Sequence, residues 1–68
     1  MLSYQKRWPE VLELWNRYLR RNPNDERAYY ERGGTYFHSG DRTAAERDVN
    51  QACVLGYAEA CDMLTRHF

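Results

Sequence analysis

Two cysteines and two histidines give this 68-residue chain its widest chemical reach. Cys53 and Cys61 could form a redox pair, ligate a metal or supply a nucleophile, and His38 or His67 could act beside them as base or ligand. None of these roles finds its supporting pattern. A redox-active dithiol is expected as CxxC at a helix start, which lowers a thiol pKa, and no CxxC is present. A zinc site needs four ligands at recognised spacings, which Cys53, Cys61, His38 and His67 do not show. A Cys-His pair lacks an orienting third group and an oxyanion motif. The stretch GGTYFHSG has no lysine and follows no strand, so it is not a phosphate-binding loop. The expectation is a protein with no catalytic residue, no metal site and no cofactor.

Charge and composition narrow the partners. Ten Lys+Arg against ten Asp+Glu leave no net field to draw nucleic acid or an anionic membrane. No apolar run approaches the roughly 20 residues that span a bilayer, and the opening MLSYQKRW lacks the apolar middle region of a secretory signal. Neither a nucleic-acid partner nor membrane insertion is expected. The charges are interspersed, with Glu13 placed to pair with Arg17 and Arg27 with Glu31, which reads as a solvated helical face. The aromatic share of 15% is high for so short a chain, and aromatics both fill cores and anchor interfaces.

Four elements must position these residues. Val11, Leu12, Leu14, Trp15, Tyr18 and Leu19 repeat the spacing of one helical face, predicting a first helix from Trp8 to Arg21 with Pro9 harmless in its first turn. Pro23 cannot continue it, and Asn24 or Asp25 can cap a second helix running to Ser39. Gly40 ends that helix, Asp41 caps a third from about Thr43 to Leu55, and Gly56 closes it. A last helix, about Ala58 to Arg66, would carry Ala60, Cys61 and Leu64 inward. No segment alternates with period two, so the fold class is all-α. Within the second helix, adjacent Gly33 and Gly34 should each cost about 1 kcal/mol relative to alanine, which asks for a packing reason. A shift of 34 positions, from Pro23 to Tyr57, also lays Val11 on Ala45, Trp15 on Val49 and Leu19 on Cys53, while Leu14 falls on Asp48.

With those residues in view, the stretch AYYERGGTYFHSGDRTAAERDVNQACVLGY resembles one complete tetratricopeptide repeat. The family's aromatic, glycine, tyrosine, alanine, bulky and second alanine positions fall on Tyr29, Gly33, Tyr36, Ala45, Val49 and Ala52, and Gly40-Asp41 matches its turn. Upstream, KRWPEVLELWNRYLRRNPND resembles the second helix of a preceding repeat. The resemblance implies a single domain over residues 1–68: a half repeat at 8–22, a whole repeat at 24–57 and a terminal capping helix at 58–68, stacked as antiparallel hairpins in a short superhelix. It also gives Gly33 a purpose, since a small residue there and at Ala45 lets two helices cross closely. Arg32 stands where the family usually has leucine, and Tyr57 replaces its closing proline.

The tail QACVLGYAEACDML is similar to the Sel1-like repeats, whose cysteine-rich members bridge a cysteine on each side of such a turn. That resemblance implies a Cys53–Cys61 disulfide. Two buried free thiols are the other reading, because cysteine also serves as a small apolar filler. A bridge would imply a periplasmic or secreted setting, and free thiols a cytoplasmic one.

By family position, Arg27, Tyr30, Glu31, Gly34, Phe37 and His38 should line the concave face and hold a peptide or helix of a partner protein, with Gly34 leaving a hollow. The function implied is a protein-protein interaction scaffold. Repeat arrays need about three repeats to bury a core, and this chain has about half that number. Either it is a piece of a longer protein, or it self-associates as a homo-oligomer, with Trp8, Trp15 and Tyr18 covering what a neighbour would cover. A structural or capping element with no separate ligand is the alternative function.

Overall fold

The computed structural model describes residues 7–68; the preceding stretch, read above for its lack of a secretory signal, lies outside the described residues. Four helices follow in order: α1 (Trp8–Arg21), α2 (Glu26–Ser39), α3 (Arg42–Val54) and α4 (Ala58–His67). They form consecutive antiparallel hairpins, α1 on α2, α2 on α3 and α3 on α4. The all-α hairpin architecture expected from the periodicity is what the chain adopts, three long helices and a shorter one, with boundaries within a residue of those predicted.

Local chemistry explains where each helix stops. Asp25 caps α2 by accepting a hydrogen bond from the Ala28 N–H, and Asp41 caps α3 by accepting from Ala44, each at 3.1 Å. Gly40 sits at φ +99°, and beyond it the Asp41 N–H donates to Tyr36 O at 3.0 Å, which absorbs an end carbonyl of α2. Gly56 does the same for α3 at φ +106°, with the Tyr57 N–H donating to Ala52 O at 2.9 Å. The Pro23 break is held by Asn22, whose backbone and side-chain N–H groups both donate to Tyr18 O.

The core lies along α3. Ala45, Val49, Ala52 and Ala60 are fully buried, with Tyr29, Tyr30, Tyr57, Met63, Leu64 and Phe68 packed around the inner cluster. Cys53 and Cys61 are bridged across the Gly56 turn, their Cα atoms 4.7 Å apart, so of the two readings of the cysteine pair the disulfide is the one adopted. The bridge fastens the start of α4, while Arg42 fastens its end by donating to His67 O at 2.9 Å and setting its guanidinium 5.4 Å from the ring centroids of both Phe37 and Phe68.

Arg32, at the position where the repeat resemblance leads one to expect leucine, makes polar contacts instead. Its Nε and Nη2 donate to the two carboxylate oxygens of Asp48 at 2.6 and 2.8 Å, and its Nη1 donates to Asn16 Oδ1 at 2.8 Å. Tyr29 and Tyr36 flank it on its own helix. The guanidinium therefore joins α1, α2 and α3 at one point. Its ionised form is favoured, first by the Asp48 hydrogen bonds, and its pKa is raised further above the ordinary arginine range.

The two adjacent glycines have opposite surroundings. A Cβ at Gly33 would lie 2.8 Å from Val49 Cγ2, 3.2 Å from Ala45 O and 3.3 Å from Asp48 Cβ, whereas one at Gly34 would meet nothing within 4 Å. Close crossing thus explains Gly33, and Val49, being fully buried, has no room to yield. Two alanine substitutions should consequently differ in sign. Gly34→Ala is expected to raise unfolding free energy by about 0.5–1 kcal/mol through helix propensity. Gly33→Ala is expected to lower it by roughly 1–2 kcal/mol, because overpacking outweighs that gain. Urea titration of both variants checks the contrast.

Candidate functional site

One stripe of α2 carries Arg27, Tyr30, Glu31, Gly34, Phe37 and His38, and its helical neighbours divide that stripe into two sides. On the α4 side, Tyr30 packs on Tyr57 with ring centroids 5.0 Å apart, and Phe37 meets Phe68 edge-on at 6.1 Å. A groove of about 300 Å³ runs between Tyr30 and α4, where Glu59, Asp62, Met63 and Arg66 form its far wall. On the α1 side, Arg27 and Glu31 are exposed, paired with each other at 3.6 Å, and border a cleft of about 550 Å³ shared with Trp15, Tyr18 and Asp25. Gly34 lies between the two, with open space above it.

His38 is exposed and stacks against Trp8, ring centroids 6.1 Å apart, closing the far end of the α1–α2 hairpin. Trp8 is therefore half-buried within the hairpin, while Trp15 and Tyr18 meet edge-on and border both the α1–α2 cleft and the outer face of α1. The residues singled out for partner binding and those for self-association meet at the Trp8–His38 stack and again in the 550 Å³ cleft, which takes Arg27 and Glu31 from one set and Trp15 and Tyr18 from the other. Beyond it, Val11, Leu14, Trp15 and Tyr18 line a second, almost wholly apolar groove of about 360 Å³.

Sequence reasoning passed over the α4 wall and read Asp25 as a candidate cap alone. Tyr57 drew notice only for displacing a proline, yet its aromatic character at the head of a helix was the available signal for its pairing with Tyr30. Asp25 does more than cap α2: its carboxylate also accepts a hydrogen bond from the Tyr18 hydroxyl, linking α1 to the start of α2 beside the cleft. Among the described residues no three His, Cys, Asp or Glu side chains gather where a metal could be held, and no described helix is long and apolar enough to cross a membrane. No protein-family model, curated protein or solved structure matches this chain.

The Tyr18–Asp25 link makes stability depend on pH at both ends of the scale. Hydrogen bonding from Tyr18, then from the Ala28 N–H, holds the Asp25 carboxyl below its ordinary 3.8, so its contribution is in place above that value and is lost as pH falls through the folded pKa. Hydrogen bonding to Asp25 raises the Tyr18 hydroxyl above its ordinary 10.0, so its contribution is in place below 10.0 and is lost as pH rises through the folded pKa. The stability difference between wild type and Tyr18→Phe, followed by urea unfolding across pH, is expected to be level from about pH 5 to 9 and to shrink on either side.

Proposed function

We propose that this chain is a non-catalytic protein-docking module of the tetratricopeptide type, which holds an extended segment or helix of a partner protein along the groove face of α2. The observation that carries this reading is the open space over Gly34, set between an aromatic wall and a charged pair. A helix sacrifices propensity by placing glycine at a site with no packing need, and the return is a hollow one side chain deep. Tyr30 and Phe37 supply the rigid apolar wall that interfaces favour, while Arg27 and Glu31 offer a donor and an acceptor to a passing backbone. The ligand suited to such a surface presents an apolar side chain to the hollow and polar groups to Arg27 and Glu31. The Cys53–Cys61 bridge fits an oxidising setting, periplasmic or secreted.

The test uses peptides selected from a displayed random library on the wild-type protein. Binding is expected to weaken by about tenfold or more on Gly34→Trp, whose Cβ enters open space over the hollow, and to survive Leu14→Glu on the outer face of α1. Peptides that bind Gly34→Trp as tightly as wild type, measured by titration calorimetry, would place the docking surface elsewhere.

A further inference from the structure

The outer face of α1 is a second surface, on the other side of the molecule's packing logic. Leu14 is 62% exposed and Tyr18 41% exposed, and with Val11 and Trp15 they form one stripe at helical spacing. Among the described residues the remaining exposed large apolar residue, Val54, stands apart from them on α3. An apolar stripe two helical turns long, rimmed by charge, is the form of a surface that another element covers.

Comparing α1 with α3 indicates the shape of that element. A shift of 34 positions lays Val11, Leu14, Trp15 and Tyr18 on Ala45, Asp48, Val49 and Ala52, and each of those four is buried, beneath α2. The same shift lays Leu19, buried toward α2, on Cys53, bridged toward α4. Each helix therefore turns one face to the helix that follows it. What α3 has and α1 lacks among the described residues is an antiparallel helix on the opposite face. The larger side chains on α1 suit an occupant of helical shape held farther from the axis than Gly33 allows α2.

Charge indicates which helix fits. Glu10 and Glu13 occupy the first half of α1, and Arg17, Arg20 and Arg21 the second. We propose that a second copy of this chain is the occupant, its α1 packed antiparallel on the first about a two-fold axis between Leu14 and Trp15. In that register Leu14 meets Trp15 of the second copy, Val11 meets Tyr18, and Glu10 comes between Arg17 and Arg21, each contact occurring twice. A parallel arrangement would instead set the arginines of one copy beside those of the other. Arg7, the base just before the acidic half among the described residues, is already engaged by Glu10 at 3.2 Å. The hollow at Gly34 and the groove between Tyr30 and α4 lie outside this stripe, while Trp15 and Tyr18 are shared with the Arg27–Glu31 cleft, so Leu14→Glu and Gly34→Trp are the variants that tell the two surfaces apart.

Sedimentation from about 1 to 200 µM is expected to show reversible monomer–dimer exchange, with Leu14→Glu monomeric throughout and unchanged in helicity. A Glu10→Arg, Glu13→Arg chain and an Arg17→Glu, Arg21→Glu chain should each self-associate about tenfold more weakly, and an equimolar mixture should recover the dimer. For orientation, Glu10→Cys and Arg17→Cys chains should cross-link to each other and not to themselves. A wild-type chain monomeric at every concentration, or a dimer indifferent to Leu14→Glu, overturns the proposal. Self-cross-linking of Glu10→Cys overturns the antiparallel register.

Discussion

The guanidinium of Arg32 is the fastening on which the rest of the molecule depends. It places a bidentate bond on Asp48 of α3 and a third bond on Asn16 of α1, from a position at the middle of α2. Asp48 is only 5% exposed, and a carboxylate removed from water that far is stable only with its charge and lone pairs answered. The fork geometry of arginine answers both oxygens at once, which a lysine could not do. Neighbouring Gly33 completes the arrangement by letting α2 approach α3 so closely that even a Cβ there would lie 2.8 Å from Val49 Cγ2 and 3.2 Å from Ala45 O. One residue gives closeness and the next gives register.

Small size makes that fastening important. Among the described residues the fully buried apolar side chains are one valine and three alanines, a modest core. Directional ties supplement it: Arg32 in the middle, the Cys53–Cys61 bridge and Arg42 at the two ends of α4, and Tyr18–Asp25 at the α1–α2 turn. With the frame held by a few discrete links, faces of α1 and α2 are left free of packing duty. Those are the faces proposed to receive partners, one through the hollow at Gly34 and one through the stripe around Leu14.

Much of the frame was legible in the residues. Pro23, Gly40-Asp41 and Gly56 each obey local rules of helix ending that depend on near neighbours alone, so the boundaries could be read without knowing the fold. Gly33 was legible through its resemblance to a family position, because close crossing has few other solutions. The Arg32–Asp48–Asn16 junction was not. Charged residues on helices read as solvated surface, and nothing local distinguishes a buried pair sixteen positions apart from two exposed ones. The failed match of Leu14 with Asp48 was a trace of it, marking the place where one helix is bare and its counterpart is covered. Trp8 was equally ambiguous, since an aromatic at the start of α1 could face outward or, as it does, stack on His38.

The most direct measurement is a double-mutant cycle on Arg32→Leu and Asp48→Ala, read by urea unfolding with the disulfide intact. Asp48→Ala alone is expected to cost roughly 3–5 kcal/mol, because it strands a part-buried guanidinium, while the double variant should regain most of that loss as an apolar contact. Single substitutions that each cost less than about 0.5 kcal/mol, or a double variant whose loss is simply the sum of the two, would contradict the account by showing that the pair does not fasten the three helices.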